Sequence, residues 1–400
     1  MQRVPPLLLT ALAAASCIAD SASIEKSDVY KAGESGYAVY RIPGIVVTAK
    51  GTVLAYAEAR KSERGDWNTI DIVLRRSTDG GGTWSKFRKI ADVPGPKTKN
   101  PVALAQNLAS PGDVTYNNPV AIPDKNGSVH FVFCLEYMRA FHMRSDDDGI
   151  TWSKPVEITS AFEGFRPAYD WKVIATGPGH GIQLKNGRLL IPVWMSLGTG
   201  GHAHRPSVAA TIYSDDHGST WKHGEIALPN TPEFIIPNET AAVELADGSV
   251  MLNARSESKT NRRIVTVSRD GATGWSKPHF DDALIDPICM AGLVRYSTTT
   301  ILFSNPYNLG RKDGRNEPGL PRDRRNLTVQ MSRDEGKSWP VRKTIEPGWS
   351  GYSDLAVAKD GTILLLYERG GAGDDRFRSE ALTLARFPLA WLTTTEPLSK

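Results

Sequence analysis

Ser77-Thr78-Asp79-Gly80-Gly81-Gly82-Thr83-Trp84 is the first of five copies of one short pattern. Ser145-Asp146-Asp147-Asp148-Gly149-Ile150-Thr151-Trp152, Ser214-Asp215-Asp216-His217-Gly218-Ser219-Thr220-Trp221 and Ser332-Arg333-Asp334-Glu335-Gly336-Lys337-Ser338-Trp339 repeat it. Ser268-Arg269-Asp270-Gly271-Ala272-Thr273-Gly274-Trp275 is a degenerate copy. Successive copies start 54 to 69 residues apart, and a near-constant interval of that size marks a repeated supersecondary unit. Within each copy, Asp and Ser side chains can bond backbone amides a few residues on and close a tight turn. Gly supplies positive φ where the chain reverses, and Trp can pack its ring under the turn. The pattern therefore reads as a hairpin staple. Asp146-Asp147-Asp148 is not a calcium loop, because consecutive aspartates lack the alternating ligand spacing such a loop uses.

Between these turns lie short strand-like runs. Gly44-Ile45-Val46-Val47-Thr48, Thr52-Val53-Leu54-Ala55-Tyr56 and Asp71-Ile72-Val73-Leu74-Arg75 form one meander. Lys125-Asn126-Gly127, Lys185-Asn186-Gly187, Ala246-Asp247-Gly248 and Lys359-Asp360-Gly361 are hairpin-turn signals ahead of further strands. Four strands per repeat predict an all-β, six-bladed β-propeller with four-stranded antiparallel blades. The strands near Val39–Val47 and Thr362–Tyr367 are expected to share the closing blade, with at most a short helix at Phe387–Leu392.

The repeat spans most of the 400 residues, so a single propeller domain over 23–400 is expected. Arg3 ahead of the apolar run Leu7–Ala15 reads as a cleaved secretory signal covering about residues 1–22, which implies an extracellular or periplasmic protein. Cys17 sits in a poor lipoprotein box. No later run reaches the ~18 apolar residues of a membrane span. Cys134 and Cys289, in apolar surroundings, read as buried free thiols. The net charge of +4 is too small to argue for nucleic acid.

Tyr40-Arg41-Ile42-Pro43-Gly44 followed by repeated Ser-x-Asp-x-Gly-x-Thr-Trp boxes resembles the sialidase (neuraminidase) family of exo-acting glycosidases, over about Val39 to Glu368. The resemblance implies three arginines gripping a substrate carboxylate: Arg41, Arg255 in Asn253-Ala254-Arg255-Ser256, and Arg324, favoured over Arg325 by its two-residue offset to Asn326. A planar guanidinium offers paired donors that match a carboxylate. Glu368 resembles the glutamate that orients the first arginine. Asp66 holds the place of the acid/base, five residues before Asp71-Ile72-Val73-Leu74-Arg75-Arg76; Asp71, which opens the strand, is the rival carboxylate. Arg60 is expected to help line the pocket.

Tyr352, in Gly351-Tyr352-Ser353, matches the nucleophile, and Glu239, in Pro237-Asn238-Glu239-Thr240, matches its base. A neutral phenol avoids bringing a second negative charge to an anomeric carbon that already bears a carboxylate, and sialidases are known exceptions to the two-carboxylate rule for glycosidases. With a usual pKa of about 10, the phenol needs a base. Asn238-Glu239-Thr240 is also a glycosylation sequon, read as coincidence because a glycan would block the cleft. His202-Ala203-His204 is half a metal site at most and reads as exposed loop. Trp67, Tyr169 and Trp171 are candidates for the cleft wall.

The resemblance implies a secreted, retaining exo-α-sialidase acting on sialylated glycans, glycoproteins or glycolipids, a monomer with no metal or organic cofactor. The alternatives are a trans-sialidase, with a sugar acceptor replacing water, and a catalytically inactive glycan-binding propeller.

Overall fold

The computed structural model describes residues 23–63, 65–371 and 378–394. The expected signal segment, with Arg3 and Cys17, lies outside them. The described chain is built almost wholly of β-strands, arranged in propeller-like fashion. Val39–Val47, Val53–Arg60, Ile70–Ser77 and Arg88–Lys89 form the first sheet. Tyr116–Pro123, Val129–Leu135, Arg139–Ser145 and Val156–Glu157 form the second, with Gly179–His180 added parallel to its first strand. Val173–Thr176, Leu189–Ser196, Ser207–Ser214 and Lys222–Leu228 form the third, with Ile182–Gln183 also pairing Leu189–Ser196. Thr240–Glu244, Val250–Ala254, Arg262–Ser268 and His279–Ile285 form the fourth. The hairpin turns fall where the sequence placed them; Gly127, Gly187, Gly248 and Gly361 all have positive φ.

The expectation of six separate four-stranded blades needs correction. The remaining strands join in one seven-stranded sheet, so the described residues hold five sheets. The cause is the 17-residue strand Val341–Val357. Its first half pairs with Arg325–Ser332 and its second half with Ile363–Arg369, so the ladder runs on where a blade boundary was expected. The closing strand is also different. Glu25–Lys31 pairs with Ala381–Phe387, which pairs with Ile363–Arg369, whereas Val39–Val47 opens the first sheet. Glu25–Lys31 carries only two buried residues, too weak an apolar pattern to announce itself. The short terminal helix is Leu389–Thr393, and Cys134 and Cys289 are buried free thiols.

The core lies between facing sheets. Leu54, Tyr56, Ile72 and Leu74 of the first meet Tyr116, Phe131, Phe133 and Phe141 of the second. The two halves of the seven-stranded sheet likewise face each other, Leu327, Val329 and Met331 against Leu355, Leu365 and Phe387. Each box tryptophan joins such a seam: Trp84, Trp152, Trp221, Trp275 and Trp339 pack against five different clusters. The boxes are thus more than local staples. A Cβ on Gly81 would lie 2.5 Å from Leu384 of the neighbouring sheet, and Arg76 of the first sheet donates to the Asp148 carbonyl in the second box at 2.8 Å.

Candidate active site

One end of the strands is deliberately irregular. The ladders of Val39–Val47, Tyr116–Pro123 and Val341–Val357 break register between Arg41 and Gly44, Asn117 and Val120, and Ser350 and Ser353 respectively. Such bulges re-aim side chains. At the first, Pro43 has no N–H to give the ladder, and Ile42 adopts φ 58°, a conformation that costs a β-branched residue free energy. Its N–H is not lost: it donates to Glu368 Oε1 at 3.1 Å.

Glu368 is the buried hub. It accepts Arg41 Nε at 3.0 Å and Nη2 at 3.3 Å, a paired fork, and the Tyr352 backbone N–H at 3.1 Å. Gly351 is required here, since a Cβ would come within 2.1 Å of Glu368 Oε2. One carboxylate therefore fixes Arg41 and Tyr352, from opposite ends of the chain. Removing one partner of such a buried pair costs about 3–5 kcal/mol.

Tyr352 is 5% exposed. Its hydroxyl donates to Glu239 Oε1 at 2.5 Å and accepts from Arg255 Nη1 at 2.7 Å; Arg255 also pairs with Glu239. The guanidinium carbons of Arg41 and Arg324 each lie 5.1 Å from the Tyr352 ring centre. Burial pushes the phenol above its usual range, Arg255, Arg324 and Arg41 pull it down, and Glu239 adds to the rise. Arg324 is buried and donates to the Ile288 carbonyl at 2.8 Å, whereas Arg325 is exposed beside Trp349. The offset to Asn326, which sits at φ 61° in a further register break, sends the two arginines to opposite sides.

Arg41, Arg255, Arg324, Tyr352, Glu239 and Asp66 line a common cavity of about 280 Å³. The Asp66 side chain is 42% exposed and pairs with Arg60 at 2.8 Å. Desolvation acts to raise its carboxyl, but Arg60 and Arg41, joined by His204 once that imidazole is protonated, outweigh it and hold it well below the usual carboxylate range. Asp71 lies elsewhere, accepting Tyr37 Oη at 2.7 Å and pairing with Lys89 at 2.6 Å. Arg60 does not line the cavity as expected. Its guanidinium is shared between Glu58 and Asp66, behind the wall.

The wall is formed by Tyr137, Trp194, His202, His204 and Asn118, none of which was assigned from the sequence except the two histidines, read there as loop. Trp67, Tyr169 and Trp171 are not on it. Trp67 is buried behind Tyr137, with ring centres 4.5 Å apart. Trp171 donates to the Phe162 carbonyl in the core, and Tyr169 to the Pro206 carbonyl. Tyr137 reaches the cavity from a left-handed pair, Glu136 and Tyr137, at φ 57° and 49°, which no local sequence signal announces. Asn238 also lines the cavity, its carboxamide turned back onto the Glu239 N–H and the Ile236 carbonyl.

Seam-packed turns at one end of the strands, and at the other a cavity that gathers cations, a phenol and carboxylates, place the chain in a known class. It belongs to the BNR repeat-like domain family, which matches residues 51–365. It is 30% identical to a sialidase of Micromonospora viridifaciens, over 92% of this chain and 54% of that one. With a sialidase of Bacteroides fragilis it shares 29% identity over 85% of this chain and 62% of the other. The solved structure of a Hadza microbial sialidase matches with a TM-score of 0.70 at 26% identity, over 92% of this chain and 69% of that one. The likeness to sialidases seen in the motifs is borne out, although the chain spans less than two thirds of the length of the two curated relatives.

Proposed function

We propose that this chain is a retaining exo-α-sialidase that releases terminal sialic acids from glycoconjugates through a tyrosyl-linked intermediate. The observation that carries the reading is the Tyr352 hydroxyl, held between Glu239 and Arg255 at the base of a cavity where Arg41 and Arg324 also converge. Three guanidiniums fit the substrate carboxylate. Tyr352 passes its proton to Glu239 and attacks the anomeric carbon, while Asp66 gives a proton to the departing oxygen. Water then attacks the same carbon, Asp66 takes its proton, and the phenolate leaves and recovers its own from Glu239.

In the empty cavity Asp66 is ionised by the cations around it. A substrate carboxylate seated on Arg41, Arg255 and Arg324 cancels part of that field, which raises the proton affinity of Asp66 when a proton is needed. Counting the two facing halves of the seven-stranded sheet as separate blades gives the six of the propeller reading, in one domain. Secretion and monomeric action are part of the proposal; the former rests on Arg3 and Leu7–Ala15. No helix among the described residues is long and apolar enough to cross a membrane.

The test is release of free sialic acid from sialyllactose and from an aryl sialoside, with and without added lactose. Hydrolysis unaffected by lactose supports the reading. Transfer to lactose would make the chain a trans-sialidase, and binding without turnover an inactive lectin-like propeller.

A further inference from the structure

His204 has no role in the mechanism above, yet it lines the cavity with Asp66. Three aromatic side chains surround it. Its ring centre lies 5.4 Å from Trp67, 5.0 Å from Tyr137 and 5.2 Å from Trp194. Trp67 follows Asp66 in the chain, so the residue that pins the imidazole also anchors the loop carrying the acid. The imidazole Nε2 is buried with no hydrogen-bond partner among the described residues. A box of three apolar rings around an imidazole favours its neutral form.

Asp66 already carries a large positive field from Arg60 at 2.8 Å and from Arg41 nearby. A further cation beside it would lock it as a carboxylate and disable it as an acid. We propose that His204 is a positioning residue for Asp66: an imidazole kept uncharged by Trp67, Tyr137 and Trp194, which fills the wall beside the acid without adding to the positive charge that bears on it. This rests on Asp66 being the acid of the proposed sialidase reaction.

The surrounding charges agree. Burial lowers the His204 imidazole to about 4, against the pull of Asp66 and Glu239 and together with the push of His202 and Arg255. Around Asp66 the facing groups are Arg60, Arg41, Glu58, His202, His204 and the Tyr137 phenol, and His204 lowers the Asp66 carboxyl only once it is itself protonated. His204 is thus neutral above about pH 4 and becomes a cation below it.

The experiment compares the unmodified chain, His204→Gln and His204→Lys on sialyllactose, whose alcohol leaving group needs protonation, and on a nitrophenyl sialoside, which needs little. A fixed charge that lowers the Asp66 pKa by about one reduces its protonated fraction about tenfold. His204→Lys should therefore lower kcat/KM for sialyllactose about tenfold more than for the nitrophenyl substrate, whereas His204→Gln should keep the ratio of the two within about twofold. In the pH profile for sialyllactose, the acid limb, where His204 gains its charge, should become shallower in His204→Gln, a measurement that stands even if His204→Lys does not fold. The same ratio in both variants, or an acid limb unchanged in His204→Gln, overturns the inference. Failure of the unmodified chain to cleave either substrate overturns the sialidase reading instead, and this with it.

Discussion

Asp147 in a box turn and Asp66 in the cavity are both aspartates held below the usual carboxylate range, and their causes are opposite. Asp147 is lowered to about 2 by hydrogen bonds from the Thr151 side chain and backbone and from Ser145, all within its own octet. It faces solvent and needs nothing from the rest of the chain. Asp66 is lowered against its own desolvation chiefly by Arg60 and Arg41, cations drawn from separate stretches of sequence. Neutralising those cations with a ligand changes Asp66 and leaves Asp147 as it was. A carboxylate fixed by its own turn serves stability; one governed by distant charges can be switched by substrate.

The sharpest way to break this contrast is at Tyr352. Tyr352→Phe should lower turnover by about 10³-fold or more. A 3-fluoro sialyl fluoride should add one sugar to the unmodified protein by intact mass, mapped by peptide analysis to Tyr352, with slower labelling in Glu239→Gln. A sugar on Glu239 or Asp66 would sink the tyrosine mechanism. Next, Asp66→Asn should lose about 10²–10⁴-fold on sialyllactose and far less on an activated aryl sialoside; equal losses at an unchanged rate-limiting step would remove Asp66 as the acid. Asp71→Asn, outside the cavity, is the control.

Arg324→Ala should then cost about 2–5 kcal/mol in transition-state binding, read as kcat/KM, while exposed Arg325→Ala should change it little. A greater loss in Arg325→Ala would reverse the assignment. The smallest effect belongs to the turns. Asp147→Ala and Asp216→Ala should lower the melting temperature by about 1–2 °C with the pH–rate profile unchanged. Because folding depresses these carboxyls from 3.8 to about 2, their contribution is present above about pH 4 and lost as pH falls toward 2. The melting temperature should fall across that window, less steeply in the variants. A pH-independent melting temperature there would show that the turn bonds contribute nothing.

What the sequence disclosed follows the same division. The boxes, the hairpin glycines and the all-β class were legible because their physics is contained in a few consecutive residues. The convergence of Arg41, Asp66, Glu239, Arg255, Arg324 and Tyr352 was legible only through motif resemblance, since Arg41 and Glu368 stand 327 positions apart. The cavity wall was not legible. Tyr137 depends on a left-handed turn without glycine, and Trp67 and Trp194 look alike in sequence although only Trp194 reaches the cavity. The continuous strand Val341–Val357 was hidden because Pro347-Gly348 and Gly351 within it are residues that ordinarily end a strand.

The pairing of Glu25–Lys31 with Ala381–Phe387 sets an order of events during synthesis. The earliest described strand has no partner strand until the last described one has been made. Arg41 waits likewise for Glu368, and Glu239 for Tyr352. A nascent chain halted after Ile285 can have four sheets built while lacking the phenol and the hub carboxylate.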